Sequence, residues 1–216
     1  MDKTKKSIQK FVDQTSERFN SLPWEDPQFY ANWLAQTYYF TRNVTRALAK
    51  AAARCGHGEN DLHKAMIHGI SEENNHDTVA MMDLKKLGYS IADFQENPST
   101  TAYYSTLMHL IDLEGPEVLL GYSVILEGLA ACGADDVLKR LEKSHGKDTT
   151  KFVHLHVHVD KDHFTEALEQ LSKLSEVRMK KAFRGVQCSY RLYGNMINEI
   201  VEKYDAEGNG TNLKSA

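Results

Sequence analysis

Apolar residues recur along most of the chain at the three- and four-residue spacing of amphipathic helices, and alternating strand patterns are nearly absent. One such stripe is formed near the N-terminus by Ile8, Phe11, Val12, Phe19 and Leu22. The spacing predicts helices over residues 4–22, 27–55, 61–87, 99–113, 116–131, 134–144, 149–172 and 174–204. The sequence therefore predicts an all-α bundle of about seven long helices.

Capping residues support several of these helix ends. Asp26 and Pro27 suit the N-cap and the first turn of the long helix 27–55. Gly88 suits the end of helix 61–87, and Cys132-Gly133 indicates an end after residue 131. Because the final stretch EGNGTNLKSA is polar and rich in glycine and asparagine, we expect one domain over residues 1–204 and a flexible tail over 205–216.

Composition and charge narrow the classes of function. A net charge of -4 provides no basic field for nucleic acid or an anionic membrane, so neither is expected as a partner. The longest apolar runs are shorter than the ~20 residues that cross a bilayer, and the N-terminus lacks the pattern of a secretory signal. The three cysteines are scattered and form no CxxC pair, which favours a reducing, cytoplasmic location.

The stretch HVHVDKDH, residues 156–163, has five residues that can bind a metal or carry a proton. On a helix, His156, Asp160 and His163 lie at i, i+4 and i+7 and share one stripe, whereas His158 and Asp162 lie off it. The downstream sequence favours a helix here over an isolated strand. The stripe predicts a metal site, and the alternative is a solvated charged face.

Further metal ligands are expected from other helices. Glu73 and His76 stand at i, i+3, a pair that helical bundles use in di-iron centres, with Glu72 as an alternative in a neighbouring register. Glu127 is the only charged residue between 118 and 134, so it should bind a cation or pair with an arginine. Three carboxylates and three imidazoles are too many ligands for one catalytic zinc and favour two ions of iron or manganese.

Four segments carry a resemblance to a known family. FYANWLAQTYYFTRNVTRALAKAAAR, EENNHDTVAMMDLKKLG, LEGLA and HVHVDKDH are similar, in this order, to the core helices of the haem-oxygenase-like di-iron oxidases and oxygenases. These iron-containing redox enzymes are related to the TenA- and PqqC-type helical proteins. The resemblance implies a haem-oxygenase-like bundle in which two irons are held by six residues that also serve catalysis: Glu73, His76, Glu127, His156, Asp160 and His163.

The same resemblance implies an enzyme that uses O2 as co-substrate, with an external reductant possible. Its small substrate would carry a carboxylate or an amine and undergo oxidative C–C cleavage, desaturation or N-oxygenation. Arg42, Arg184, Arg191 and Tyr39 are candidates to contact this substrate, since guanidinium groups bind carboxylates in two-pronged pairs. The alternative for each arginine is a salt bridge. Aromatic residues that either line a pocket or belong to the core are Trp33, Tyr38, Tyr39, Phe40, Tyr122 and Tyr190.

Other classes of function stay open at this point. One is a metal-free TenA-like thiaminase or hydrolase with a cysteine nucleophile, for which Cys132 lies near Glu127 in the sequence. The others are non-enzymatic: a metal-binding module and a protein-interaction module. A homodimer is possible.

Overall fold

The computed structural model describes the backbone of residues 2–208, and the side chains of this range except those of residues 2–3 and 158–162. Within this range the chain forms α-helices and short 3-10 turns, and no strand occurs. The nine α-helices are α1 (Asp2–Asn20), α2 (Pro27–Thr41), α3 (Val44–Arg54), α4 (Asn60–Glu73), α5 (His76–Lys86), α6 (Pro98–Leu113), α7 (Glu117–His145), α8 (Lys151–Ser172) and α9 (Glu176–Ala206). The 3-10 turns are His57–Glu59, Ile91–Asp93 and Lys147–Thr149. The predicted all-α class is confirmed.

Two predicted helices are each broken into two. Asp26 caps α2 by accepting from the backbone N–H of Gln28 at 2.8 Å and of Phe29 at 3.1 Å, with Pro27 in the first turn, as predicted. The predicted helix 27–55, however, turns at residues 42–43 and restarts as α3.

The break between α4 and α5 lies between two predicted metal ligands, Glu73 and His76. Asn75 has φ of 71°, in the left-handed region that asparagine tolerates better than most residues. The predicted helix 61–87 therefore ends at Glu73 and restarts at His76. Glu73 and His76 lie at the helix ends on the two sides of this break, so they do not share one continuous helical face.

The central helix α7 is continuous where the sequence predicted an end at Cys132-Gly133. Gly133 instead allows α1 to approach closely, because a Cβ added to it would lie 2.6 Å from the Ser16 side chain. By length and composition α7 could also cross a membrane, contrary to the expectation from its apolar runs, but 67% of its most apolar window is buried. That burial is typical of a helix at the centre of a bundle.

Helices α1, α8 and α9 pack around α7, and their buried side chains belong to one apolar core. The crossing of α7 and α9 is so close that the backbones touch. A Cβ at Gly121 would lie 1.7 Å from the Ala182 carbonyl oxygen, and one at Gly185 would lie 2.1 Å from the Val118 carbonyl oxygen. Helix α5 packs against α2 and α8, and α4 packs against α3.

A buried carboxylate joins α5 to α8. Asp83 of α5 is fully buried, and its Oδ2 accepts from the backbone N–H of Phe152, in the first turn of α8, at 2.7 Å. An aspartate at this end of a helix satisfies an N–H group that has no partner within the helix. The contact holds the start of α8 beside α5.

Candidate metal centre and cavity

The break between α4 and α5 brings Glu73 and His76 together. Oε2 of Glu73 lies 2.9 Å from Nδ1 of His76. The predicted pair thus meets in space, although it spans two helices rather than one face of a single helix.

His156 of α8 completes a cluster with this pair. Its ring centroid lies 4.8 Å from that of His76, with the rings nearly perpendicular at 74°. Its Nδ1 lies 2.7 Å from the Phe152 carbonyl oxygen, one turn earlier in the same helix. Because Nδ1–H donates to this carbonyl, Nε2 of the neutral ring keeps its lone pair for a metal.

The three side chains fit one metal ion. Ligand atoms of Glu73, His76 and His156 all lie within 4.8 Å of one another. Two ligands with bonds of ~2.1 Å to one ion are at most ~4.2 Å apart, so shifts of a few tenths of an ångström would close the site. One carboxylate with two imidazoles is the ligand set of many non-haem iron(II) sites, and catalytic zinc sites use it as well.

The charge states of the cluster suit metal binding. Burial raises the pKa of Glu73, but the hydrogen bond with His76 and the electrostatic interactions with the surrounding imidazoles lower it by more, so the net shift of this pKa is downward. Burial lowers the pKa of His156, and the opposing effects of Glu73 and of the Phe152 carbonyl do not reverse the shift. A carboxylate and a neutral imidazole are therefore the forms present near neutral pH, and these are the forms that bind metals.

A cavity of about 140 Å³ adjoins the cluster and is lined by Glu73, His156 and Glu127. Glu127 projects from α7, so the carboxylate that the sequence singled out faces the same space as two members of the cluster. The rest of the wall is largely apolar and aromatic and includes Trp33, Phe40, Tyr103, Tyr122, Leu126 and Phe152. Of the predicted wall residues, Trp33, Phe40 and Tyr122 line this cavity, whereas Tyr38, Tyr39 and Tyr190 do not.

His163 lies two turns beyond His156 and contacts Glu72, the residue that the sequence offered as an alternative to Glu73 in a neighbouring register. Its Nε2 lies 3.0 Å from Oε1 of Glu72, and Nε2 of His68 lies 3.1 Å from the same oxygen. Asp160 lies between His156 and His163 in α8, but its side chain is outside the described residues. The four-residue spacing of His68 and Glu72 was the sequence signal from which part of this group of His68, Glu72 and His163 could have been predicted.

The proposed substrate contacts lie away from the cavity. Arg42 is 3.8 Å from Glu96 and lies over the ring of Tyr39, whose hydroxyl donates to the Phe94 carbonyl at 2.9 Å. Arg184 pairs with Glu114. Arg42 and Arg184 therefore form the salt bridges that were their alternative, and Arg191 is exposed on α9. The described lining of the cavity contains none of the four candidates Arg42, Arg184, Arg191 and Tyr39.

Hydroxyl and amide groups in the cavity wall were missed by the sequence interpretation. They belong to Thr37, Thr41, Asn43, Ser123 and Tyr104. Residues of this kind occur throughout the chain, so only the packing of α2, α3, α6 and α7 distinguishes these five. No cysteine occurs among the described residues of the wall, and Cys132 is exposed.

The sequence profile of the iron-containing redox enzymes matches residues 31–194. The chain belongs to this family. The match contains all four segments that suggested the resemblance, apart from the first residues of the α2 segment, and it includes Glu73, His76, Glu127, His156 and His163. No curated protein sequence is similar enough to this chain to count as a relative.

Solved structures share the fold at low sequence identity. A domain of unknown function with a heme oxygenase-like fold from Shewanella denitrificans has 18% identity and a TM-score of 0.83, with 98% of this chain and 97% of that one covered. A TenA homologue from Pseudomonas syringae has 14% identity and a TM-score of 0.71, with 91% and 92% covered. A CADD-like protein of unknown function from Nostoc punctiforme has 15% identity and a TM-score of 0.69, with 99% and 98% covered. The predicted haem-oxygenase-like fold is confirmed.

Proposed function

We propose that this iron-containing redox enzyme holds two irons and uses O2 to oxidise a small, largely apolar substrate. The observation that carries the proposal is the cluster of Glu73, His76 and His156 at the wall of an aromatic cavity that Glu127 also lines. When bound, the irons would supply the electrons and the binding positions that O2 reduction needs. The chain's own residues hold the ions, orient the substrate and exclude water.

The ligands divide into two groups by position. Glu73, His76 and His156 would hold one ion, because their ligand atoms already lie close together. Glu127, Asp160 and His163 are the other three residues of the set that the resemblance implies, and we assign them to the second position. Glu72 supports this second group, since its contact with Nε2 of His163 orients that ring.

The cavity supports an apolar substrate. In other proteins an apolar cavity of about 150 Å³ holds a molecule of the size of benzene, so a ring or a short alkyl segment fits here. The hydroxyls of Thr37, Thr41 and Ser123 offer donors and acceptors that can orient a polar atom of the substrate. An apolar wall also keeps bulk water away from the oxidising centre.

Metal analysis tests the proposal most directly. The full chain, loaded anaerobically with Fe(II) and freed of excess metal, should retain about two irons and should consume O2 on exposure to air. His156→Ala should lose at least one iron, whereas His154→Ala, on an exposed position of the same helix, should retain both. Retention of one zinc with no uptake of iron would refute the oxidase proposal.

The other properties stay predictions from the sequence. These are the cytoplasmic location, the possible homodimer, and the absence of nucleic-acid and membrane partners. The metal-free thiaminase or hydrolase is disfavoured by the exposed position of Cys132 and by the described cavity wall, which contains no nucleophilic thiol.

A further inference from the structure

A row of metal-ligating side chains leads from solvent toward the metal centre on the side of α4. His68 and Glu72 stand four residues apart on this helix, and Nε2 of His68 lies 3.1 Å from Oε1 of Glu72. Nε2 of His163, on α8, lies 3.0 Å from the same oxygen. We call these three residues the outer group. Their side chains are 70%, 34% and 22% exposed in that order, so the row begins in solvent and ends at a residue assigned to the second iron position.

The outer group lies next to the cluster of Glu73, His76 and His156. Glu72 and Glu73 are neighbours at the end of α4, and their side chains leave the helix about 100° apart. One therefore contacts His163 and the other His76. His163 also contributes to lowering the pKa of Glu73, which places its ring within electrostatic reach of the cluster. An ion held by the outer group would thus lie beside both iron positions.

The outer group has the same types of donor as the inner cluster, one carboxylate and two imidazoles, and this set binds iron and zinc. Without a metal, Oε1 of Glu72 can accept an N–H from both rings. When each ring instead carries its proton on Nδ1, an ion meets two nitrogens and one oxygen. The inner cluster is more enclosed, because its ligand atoms all lie within 4.8 Å of one another. A looser, partly exposed site can take up an ion and release it again, as a position on a route must.

The cavity offers a cation a less favourable route to the centre. Its described wall is largely apolar and aromatic, with Trp33, Phe40, Leu126 and Phe152 among its residues. A divalent ion that passes such side chains gives up hydration without gaining ligands. The outer group offers a ligand at each stage, from an exposed ring to a half-buried carboxylate and then to a second ring.

We propose that His68, Glu72 and His163 form an entry site through which Fe(II) or another divalent first-row cation reaches the metal centre. His68 captures the hydrated ion, Glu72 holds it, and His163 carries it to the second position. The inference rests on the proposed function and deepens it, because it gives a role to His68, which the two iron positions do not use. The alternative is an ordinary surface pair of His68 and Glu72, which contributes little to stability and has no effect on metal uptake.

The rate of metal uptake tests the entry site without any turnover. The metal-free full chain is mixed anaerobically with Fe(II), and a chelator added at set times removes the ions that are not yet bound. His68→Ala should load about tenfold more slowly than the natural chain, at the lower end of the ~10–10³-fold range by which charged clefts accelerate binding. At equilibrium it should retain as much iron as the natural chain, because His68 is not a ligand of the centre.

A series of variants at this one exposed position separates capture of the ion from other effects. His68→Glu keeps a metal ligand and should load as fast as the natural chain, whereas His68→Lys repels a cation and should load more slowly than His68→Ala. His109→Lys makes the same substitution at an exposed histidine of α6, outside the outer group, and should leave the rate unchanged. Glu72→Gln should also slow uptake. Thermal unfolding of each variant shows whether it remains folded.

Two results would overturn the proposal. One is an equal rate of uptake in the natural chain, His68→Ala and His68→Lys. The other is loss of iron at equilibrium in His68→Ala, which would make His68 a ligand of the centre itself.

Parallel runs with Zn(II) separate this proposal from the proposed function. Uptake of two irons at a rate that does not depend on His68 rejects the entry site alone. Zn(II) uptake that is slower in His68→Ala, with no iron retained by the natural chain, rejects the two-iron oxidase alone. Uptake of neither metal rejects both.

Discussion

Burial acts on both Glu73 and His156, but their neighbours decide the charge of each. The imidazoles around Glu73 overcome the effect of burial and lower the pKa of the carboxyl, whereas the single carboxylate near His156 does not overcome the effect of burial on the ring. Both groups therefore adopt metal-binding forms near neutral pH. At the scale of the residue, the site is prepared for a cation by the arrangement of its own ligands.

The role of Asp160 can be tested against its neighbour. Backbone hydrogen bonding keeps residues 151–172 helical, so Asp160 shares the stripe of His156 and His163, and Asp162 lies off it. Asp160→Ala should reduce retained iron from about two ions to about one per chain and abolish O2 consumption, with the helix intact because alanine favours helices. Asp162→Ala should change neither.

Iron analysis and circular dichroism check this prediction. Loss of iron in Asp162→Ala together with full retention in Asp160→Ala would place the ligands in another register, around His158 and Asp162.

At the scale of the elements, α7 and α9 approach closely because glycines stand at their crossing. Gly121 and Gly185 each face a backbone carbonyl of the other helix at a distance that no side chain permits. This contact fixes α7, which carries Glu127, against the rest of the bundle. Gly194 lies farther along α9, where a Cβ added to it would meet no atom within 4 Å.

Alanine at two glycines of α9 should therefore have opposite effects on stability. Gly194→Ala should raise the free energy of unfolding by about 0.5–1 kcal/mol, since alanine favours the helix and its methyl group meets nothing. Gly185→Ala should lower it by about 3 kcal/mol, because the methyl group would lie 2.1 Å from the Val118 oxygen and force the helices apart. Urea denaturation of the two variants measures both values, and equal effects would contradict the close crossing.

At the scale of the whole molecule, Asp83 connects the helix that begins with His76 to the helix that carries His156. Its Oδ2 caps α8, while among the described residues its Oδ1 has no hydrogen-bond partner. Burial raises the pKa of Asp83 to about 6, and the hydrogen bond from Phe152 and the charges of Lys86 and Lys151 only partly oppose this. The native protein thus holds a proton on Asp83 more tightly than the unfolded chain does.

The sign of this shift predicts how stability depends on pH. The pKa of Asp83 is higher in the folded state than its ordinary value of 3.8. The stabilisation that protonated Asp83 contributes to the folded state is therefore complete below pH 3.8 and is lost as the pH rises through about 6. Asp83→Asn, which resembles the protonated form, should gain stability relative to the natural chain by roughly 3 kcal/mol between pH 4 and pH 7. Urea denaturation of the metal-free proteins across this range measures the difference.

A matched variant at Asp136 should show the opposite dependence of stability on pH. Asp136 is exposed, and the hydrogen bond from Lys139 lowers its pKa, so Asp136→Asn should lose stability relative to the natural chain as the pH rises. A difference between Asp83→Asn and the natural chain that does not change with pH would contradict the buried, proton-holding role of Asp83.

Local signals were sufficient for the class of fold and for part of the site. The apolar period requires helices, and the cap at Asp26 follows from its own side chain and the next residues. The pair Glu73 and His76 was predicted from its spacing, and the two residues do meet. The prediction used the wrong helix geometry, because the turn at Asn75 replaces the continuous helix without separating the two side chains.

The sequence by itself determined the all-α class, most helix ends and the ligand types of the metal cluster, because each depends on residues within a few positions of one another. Only the tertiary structure decided that α7 continues through Gly133, that Glu72 contacts His163, and that Arg42 and Arg184 lie away from the cavity. The physical reason is that each of these depends on a partner in another helix. A glycine that ends a helix and one that admits a neighbouring helix look alike in sequence, and only the packing of α1 on α7 distinguishes them.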